Sequence, residues 1–155
     1  MANVATLEAT SSASAGPVML YGVSWEQYEA LLAALGADHP SLRMTYLLGT
    51  LELTTTSRRQ EHIKKLLARL LEAWAEEVDQ FFNGYGAATF RKREVERGLE
   101  PDECYVLSAP PGGEFTGFPD LAIEVVHRHG VIDKLAAYAG LGVREVWGGR
   151  RNPCP

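Results

Sequence analysis

The sequence predicts a mixed α/β fold, and three stretches carry that expectation. Residues 118–147, "FPDLAIEVVHRHGVIDKLAAYAGLGVREVW", read as an apolar strand, a short helix and a second strand, a connection that makes the two strands parallel neighbours. "RMTYLLGTLEL" alternates apolar and polar residues on both sides of Gly49, as a hairpin does. Between them, apolar residues recur at steps of three and four from Ile63 to Phe81, the period of a long amphipathic helix.

In chain order, residues 1–20 are rich in Ala, Ser and Thr and are expected as a disordered leader. A folded domain is expected over residues 21–148, and an irregular tail over 149–155. Ser24 opens "SWEQYEALLAALG", in which Ser24 and Gln27 fit a capping box and Gly36 a stop. Its apolar stripe is Tyr28, Leu31, Leu32 and Leu35, with Trp25 beside it. Met44, Tyr46 and Leu48 alternate before the hairpin turn, Leu51 and Leu53 after it. Ser57 and Gln60 repeat the capping spacing at the long helix, whose expected inward stripe is Ile63, Leu67, Leu70, Trp74, Val78 and Phe81. Asn83-Gly84 and Gly86 should end it. "AATFRKREVE" reads as an extended basic strand broken at Gly98, and "DECYVL" as the next strand, with Cys104 a small core residue. "SAPPGGEFTGF" is a loop, and the strand–helix–strand unit closes the domain.

Composition narrows the class. The 155 residues suit one domain, and 46% apolar with 23% charged residues is an ordinary globular balance. Fifteen Lys and Arg against twenty Asp and Glu leave a net charge of −5, which does not advertise a nucleic-acid partner, although charge distribution can override net charge. Cys104 and Cys154 make neither a disulfide framework nor a CxxC metal pair. No stretch is long and apolar enough to span a bilayer, and the N-terminus lacks a basic start with an apolar core, so the cytoplasm is expected.

The chemistry concentrates on acids placed in apolar strands. In "PDLAIEVV", Asp120, Ala122, Glu124 and Val126 share one face and Leu121, Ile123 and Val125 the other. A carboxylate such as Glu124 inside a run fit for burial is costly unless a cation compensates it. Glu100, Asp102 and Cys104 share a face of the preceding strand. If the two strands pair, Asp102 and Glu124 meet at one end of the sheet. Two carboxylates that close repel unless a divalent cation lies between them, and oxygen ligands favour Mg²⁺ or Mn²⁺. Lys134, on the following helix, would reach the same edge. Each residue also has a plainer reading. Asp102 would be a turn acid, Lys134 a solvated residue paired with Asp133 or Glu124, and Asp120 a strand-start residue. His127 and His129 could ligate a transition metal with Glu124, and in the plainer reading sit in the strand–helix loop. Arg58, Arg59, Arg91, Lys92, Arg93 and Arg97 are equally a solvated face or phosphate contacts.

In order, "YLLGTLEL", "EHIKKLLARLLEAW", "FRKREVERGLEPDECYVL" and "PDLAIEVV…IDKLAAYAGLGVREVW" resemble the Uma-two-type restriction endonuclease family of the PD-(D/E)xK superfamily. The resemblance covers nearly everything from Ser24 to Trp147. It implies a restriction-endonuclease-like core of helix, antiparallel strands, helix and parallel strand, with an N-terminal helix and hairpin. It also implies Mg²⁺- or Mn²⁺-dependent hydrolysis of nucleic-acid phosphodiesters, with DNA as the expected partner and a homodimer as a possible assembly. Asp102 matches the metal-binding aspartate and Glu124 the acid of the (D/E)xK element. Lys134 matches the lysine displaced onto the next helix, since Val126 occupies its usual place. Glu61 matches the acid that approaches the metal from the long helix. The resemblance thus implies Asp102, Glu124 and Glu61 as metal ligands, with Glu52 a weaker addition. Where relatives carry His-Glu this chain has Gln60-Glu61, leaving His62 as a substitute. The tail "GGRRNPCP" stands where relatives continue in further strands, so a truncated C-terminus and an exposed edge at "VREVW" are expected. The alternative functions are a catalytically inactive module that binds nucleic acid or protein, and a truncated, non-functional member.

Overall fold

The hairpin expected about Gly49 sets the frame. Strands β2 (Leu42–Leu47) and β3 (Thr50–Thr55) pair antiparallel, with Thr45 opposite Glu52 and Tyr46 opposite Leu51. Leu48 and Gly49 both have positive φ, 47° and 83°. A two-residue turn with that twist matches the twist of the flanking strands. The computed structural model describes residues 16–36, 38–108, 115, 117–126 and 132–150.

Two sheets follow from the chain order. The first runs β1 (Val18–Tyr21), β3, β2, β6 (Arg97–Leu99), β5 (Phe90–Lys92), antiparallel throughout. The second runs β4 (Asn83–Gly84), β7 (Glu103–Val106), β8 (Leu121–Val126), β9 (Glu145–Arg150). Its β7–β8 pair is antiparallel and its β8–β9 pair parallel, joined through α3 (Lys134–Leu141) as the strand–helix–strand reading requires. Helix α1 (Trp25–Leu35) packs Trp25 and Tyr28 on Met44, Tyr46 and Leu51 of the first sheet. Helix α2 (Arg58–Glu77) packs on the second, its Leu71 against Tyr105, Leu121 and Ile123. Both helices start in the capping boxes read from Ser24–Gln27 and Ser57–Gln60. Among the described residues, no helix is long and apolar enough to cross a membrane.

The structure corrects the sequence reading in four places. The strongest correction concerns α2. Its buried residues are Leu71 and Ala75, with Leu67 and Ala68 partly covered, whereas Leu70 is 69% and Trp74 55% exposed. The small residues Ala68 and Ala75 let the helix lie close to the sheet, and the larger stripe turns to solvent. Trp74 is therefore not a core residue, although Trp25 is. The helix also stops at Glu77 rather than Phe81, and Asp79 (φ 50°) redirects the chain so that Asn83-Gly84 form a strand. Gly98 does not break a strand: it lies inside β6, after a 3₁₀ turn at Arg93–Val95 and a left-handed Glu96. A Cβ on Gly98 would stand 2.3 Å from the Tyr28 hydroxyl, so the strand needs glycine to admit that ring. Finally, the ends are more regular than expected. Val18–Leu20, assigned to the leader, pair with β3, and β9 reaches Arg150 inside the expected tail. His127 and His129 lie outside the described residues, as do 1–15 and 151–155.

Candidate active site

Strand β8 is covered on both faces, which is why its sequence is nearly all apolar. Leu121 and Ile123 meet α2, while Ala122 meets Cys104 of β7 and Ala137, Tyr138 and Leu141 of α3. Alternation then places Glu124 on the α3 side, 6% exposed. The register Glu103–Ile123 and Cys104–Ala122, extended by one residue, sets Asp102 opposite Glu124. The Asp102 N–H donates to the Ile123 carbonyl (3.1 Å), and its Oδ2 accepts from the Val125 N–H (2.7 Å). Asp102 thus continues the ladder with its own side chain, at 8% exposure.

Helix α3 supplies the partners of Glu124. Asp133 caps it, accepting from the Ala136 N–H at 3.1 Å. That leaves Lys134 free to pair with Glu124 rather than with Asp133. Lys134 and Tyr138 stand four residues apart and face the same way. The Lys134 Nζ lies 2.8 Å from Glu124 Oε2, and the Tyr138 hydroxyl donates to Oε1 at 2.5 Å. Burial pushes the Glu124 carboxyl above the usual carboxylate range. Lys134 opposes that shift and the neighbouring charge of Asp102 adds to it. Burial likewise drives the Tyr138 phenol well up, and the Glu124 charge reinforces it. An acid held in this way by a lysine and crowded by a second acid is costly for the fold, which makes Glu124 a candidate site residue.

The first sheet adds a polar inner face. Arg43, Thr45 and Glu52 project from β2 and β3 on the side opposite α1, all of them buried. Glu52 is 1% exposed and its Oε2 accepts from the Ile132 N–H at 3.1 Å, fixing the backbone two residues before Lys134. Arg43 Nη1 donates to the Pro40 carbonyl (2.7 Å), and its charge offsets the burial that raises the Glu100 carboxyl.

Three of the four expected site residues therefore converge: Asp102, Glu124 and Lys134. The fourth stands apart from that cluster. Glu61, in the first turn of α2, pairs with Lys64 at 2.8 Å and is 39% exposed at its side chain. Its neighbour Gln60 points inward instead: Oε1 closes the capping box on Ser57, and Nε2 donates to the Val125 carbonyl (3.4 Å). Gln60 rather than His62 thus occupies the inward place, since His62 is exposed beside Ser41, Arg58 and Lys65. Asp120 serves the far end of β8, accepting from the Leu107 N–H at 2.9 Å, so the strand-start reading holds for it. Arg91 and Arg93 pair with Glu29 and Glu26 of α1. Sequence reasoning missed Tyr138 and underweighted Glu52. Tyr138 carried one usable signal, its position four residues after Lys134.

Among the described residues, no group of three or more acidic, histidine or cysteine side chains closes around a point where a metal would sit. The pair Asp102–Glu124 nonetheless fits Mg²⁺ or Mn²⁺. Such ions commonly take one or two carboxylates and complete their shell with water and substrate phosphate. Each carboxylate oxygen also has more lone pairs than the contacts above use.

The model of the Uma2 family, whose description reads "putative restriction endonuclease", matches residues 25–150, from the first residue of α1 to the last of β9. The chain belongs to that family. Among curated proteins, none matches the chain.

Proposed function

We propose that this protein is a metal-dependent endonuclease that hydrolyses nucleic-acid phosphodiester bonds, with DNA as the preferred substrate. The observation that carries the reading is the buried Glu124, held between the Lys134 ammonium and the Asp102 carboxylate in a chain of restriction-endonuclease family. Asp102 and Glu124 would hold Mg²⁺ or Mn²⁺, a Lewis acid that polarises the phosphoryl group and eases deprotonation of the attacking water. Lys134, exposed on one side, offers its ammonium to a phosphoryl oxygen and to the incoming water, countering the charge that builds in the transition state. Tyr138 fixes the Glu124 carboxylate, and Glu52 fixes the backbone that leads into Lys134. Water attacks phosphorus, the P–O bond to one sugar breaks, and the products are a phosphate monoester and a free hydroxyl. Glu61 is left out of the metal set, because it pairs with Lys64 apart from the other two acids.

A specific observation also favours an inactive binding module: both Glu124 oxygens already have protein partners. The two readings separate experimentally. Plasmid and single-stranded DNA are incubated with the protein and Mg²⁺ or Mn²⁺, alongside Glu124→Gln, Asp102→Asn and Lys134→Met. Cleavage that falls by roughly 100-fold or more in each variant supports the enzyme. Cleavage unchanged in Glu124→Gln and Asp102→Asn removes the site. No cleavage by the wild type, together with no carboxylate-dependent Mg²⁺ heat in calorimetry, leaves the binding module.

A further inference from the structure

The large apolar residues that α2 turns outward have no partner among the described residues. Leu66 (45% exposed), Leu70 (69%) and Trp74 (55%) follow one another at four-residue steps along a single ridge, which Val78 and Phe81 extend past the helix end. An exposed Trp–Leu ridge rimmed by charge is a contact surface rather than ordinary solvent-facing helix. The charge around it is divided. Arg58, Arg59 and Lys65 stand in the N-terminal half of α2, where Glu61 is the lone acid, and Arg69 lies just past the middle; Glu76, Glu77 and Asp79 end and follow the C-terminal half.

We propose that this ridge is the contact surface of a homodimer in which α2 of one copy lies antiparallel against α2 of the other. The charge division selects both the occupant and the direction. The best complement to a helix basic at one end and acidic at the other is the same helix reversed. A two-fold axis produces that match, since each copy presents the same self-complementary patch. With Leu70 near the axis, Leu66 of one copy meets Trp74 of the other, and Lys65 lies within one residue of the level of Glu76. A parallel pair would set like charges level. A phosphate backbone would meet repulsion from the acidic half. The inference is independent of the nuclease reading, because none of these residues touches Asp102, Glu124 or Lys134.

The test is the mass of the full chain by sedimentation across a dilution series. The wild type is expected at twice the 17.0 kDa chain mass when concentrated, approaching one chain on dilution. Leu70→Glu and Trp74→Glu are each expected at a single chain mass with an unchanged far-UV spectrum, since both positions lie outside the core. Lys65→Glu and Glu76→Lys are each expected to dimerise more weakly alone, and to regain the doubled mass when mixed in equal amounts. Four results would overturn the proposal. They are a wild type of single-chain mass at every concentration, a dimer that survives both ridge variants, a charge variant that dimerises alone as tightly as the wild type, and a mixture no heavier than its parts.

Discussion

Replacing Lys134 with Met tests whether Glu124 is buried as a compensated anion. The substitution keeps the stem and removes the charge 2.8 Å from Glu124 Oε2. Two unit charges about 4 Å apart attract by roughly 4 kcal/mol at an effective dielectric constant of about 20. Breaking a buried pair costs about 3–5 kcal/mol and an exposed one under about 1. With side chains 8% and 28% exposed, this pair lies between those limits and nearer the first. We expect a loss of about 2–3 kcal/mol at mildly alkaline pH, which for a domain of this size lowers Tm by roughly 5–10 °C. The pH dependence gives the reasoning its sign. Burial raises the Glu124 carboxyl above its ordinary value, and losing Lys134 raises it further. A carboxyl raised in the folded state contributes stability that is complete below its unfolded pKa and is lost as pH climbs through its folded one. The variant's deficit is therefore small near pH 4.5 and grows through neutrality. Urea unfolding followed by tryptophan fluorescence and circular dichroism, at about pH 5 and about pH 8, measures it. Adding Glu124→Gln should recover most of the loss, because a neutral amide needs no ammonium. A Lys134→Met protein as stable as wild type at the higher pH, or one whose deficit is larger in acid, would refute the account.

Two further outcomes follow from particular contacts. Gly98→Ala should destabilise the protein by about 1–3 kcal/mol in the same urea assay, because the new methyl enters the space of the buried Tyr28 ring. Glu52→Ala should cost about 1–3 kcal/mol by leaving the Ile132 N–H without its acceptor. Hydrogen exchange should show the first turn of α3 opening more often in that variant, ahead of any change in β7 or β8.

The sequence displayed the fold wherever a local rule was strong. Capping boxes at Ser24 and Ser57, alternation about Gly49 and the strand–helix–strand run to Trp147 all recur in the structure. It misled where local and tertiary signals compete. The period of α2 is real, but periodicity does not say which stripe faces the sheet, and Ala68 and Ala75 carry little hydrophobic weight while permitting the closest approach. Gly98 is a strand breaker by propensity and a strand residue by necessity, since the Tyr28 ring that demands it comes from α1, seventy residues away in sequence. At the site, Asp102 and Glu124 were legible because strand pairing is periodic and a mid-strand acid is conspicuous. Tyr138 was not, because a tyrosine on a helix reads as core whether or not its hydroxyl holds a carboxylate. Glu52 reads as the polar residue of an alternating strand, and the segment leading into α3, whose Ile132 N–H it accepts, is distant in sequence.

The arrangement around Glu124 also explains why an acid is kept where a hydrophobe would be less costly to the fold. Its neighbours Ala122 and Ile123 show that this part of β8 can be buried without charge. Replacing a buried ion pair by apolar residues is often neutral or stabilising, so stability alone does not account for Glu124 and Lys134. Specifying the fold is a poor account as well. The β7–β8 register is already set by backbone pairing and by the apolar faces of Leu121, Ala122 and Ile123. On the proposed reading, what remains is a use for an anion that cannot easily move. Tyr138 and Lys134 hold one carboxylate and the Val125 N–H holds the other, so two negative groups stay in place before any cation or phosphate arrives. Electrostatic preorganisation of that kind costs stability in the free protein and returns it as binding or rate.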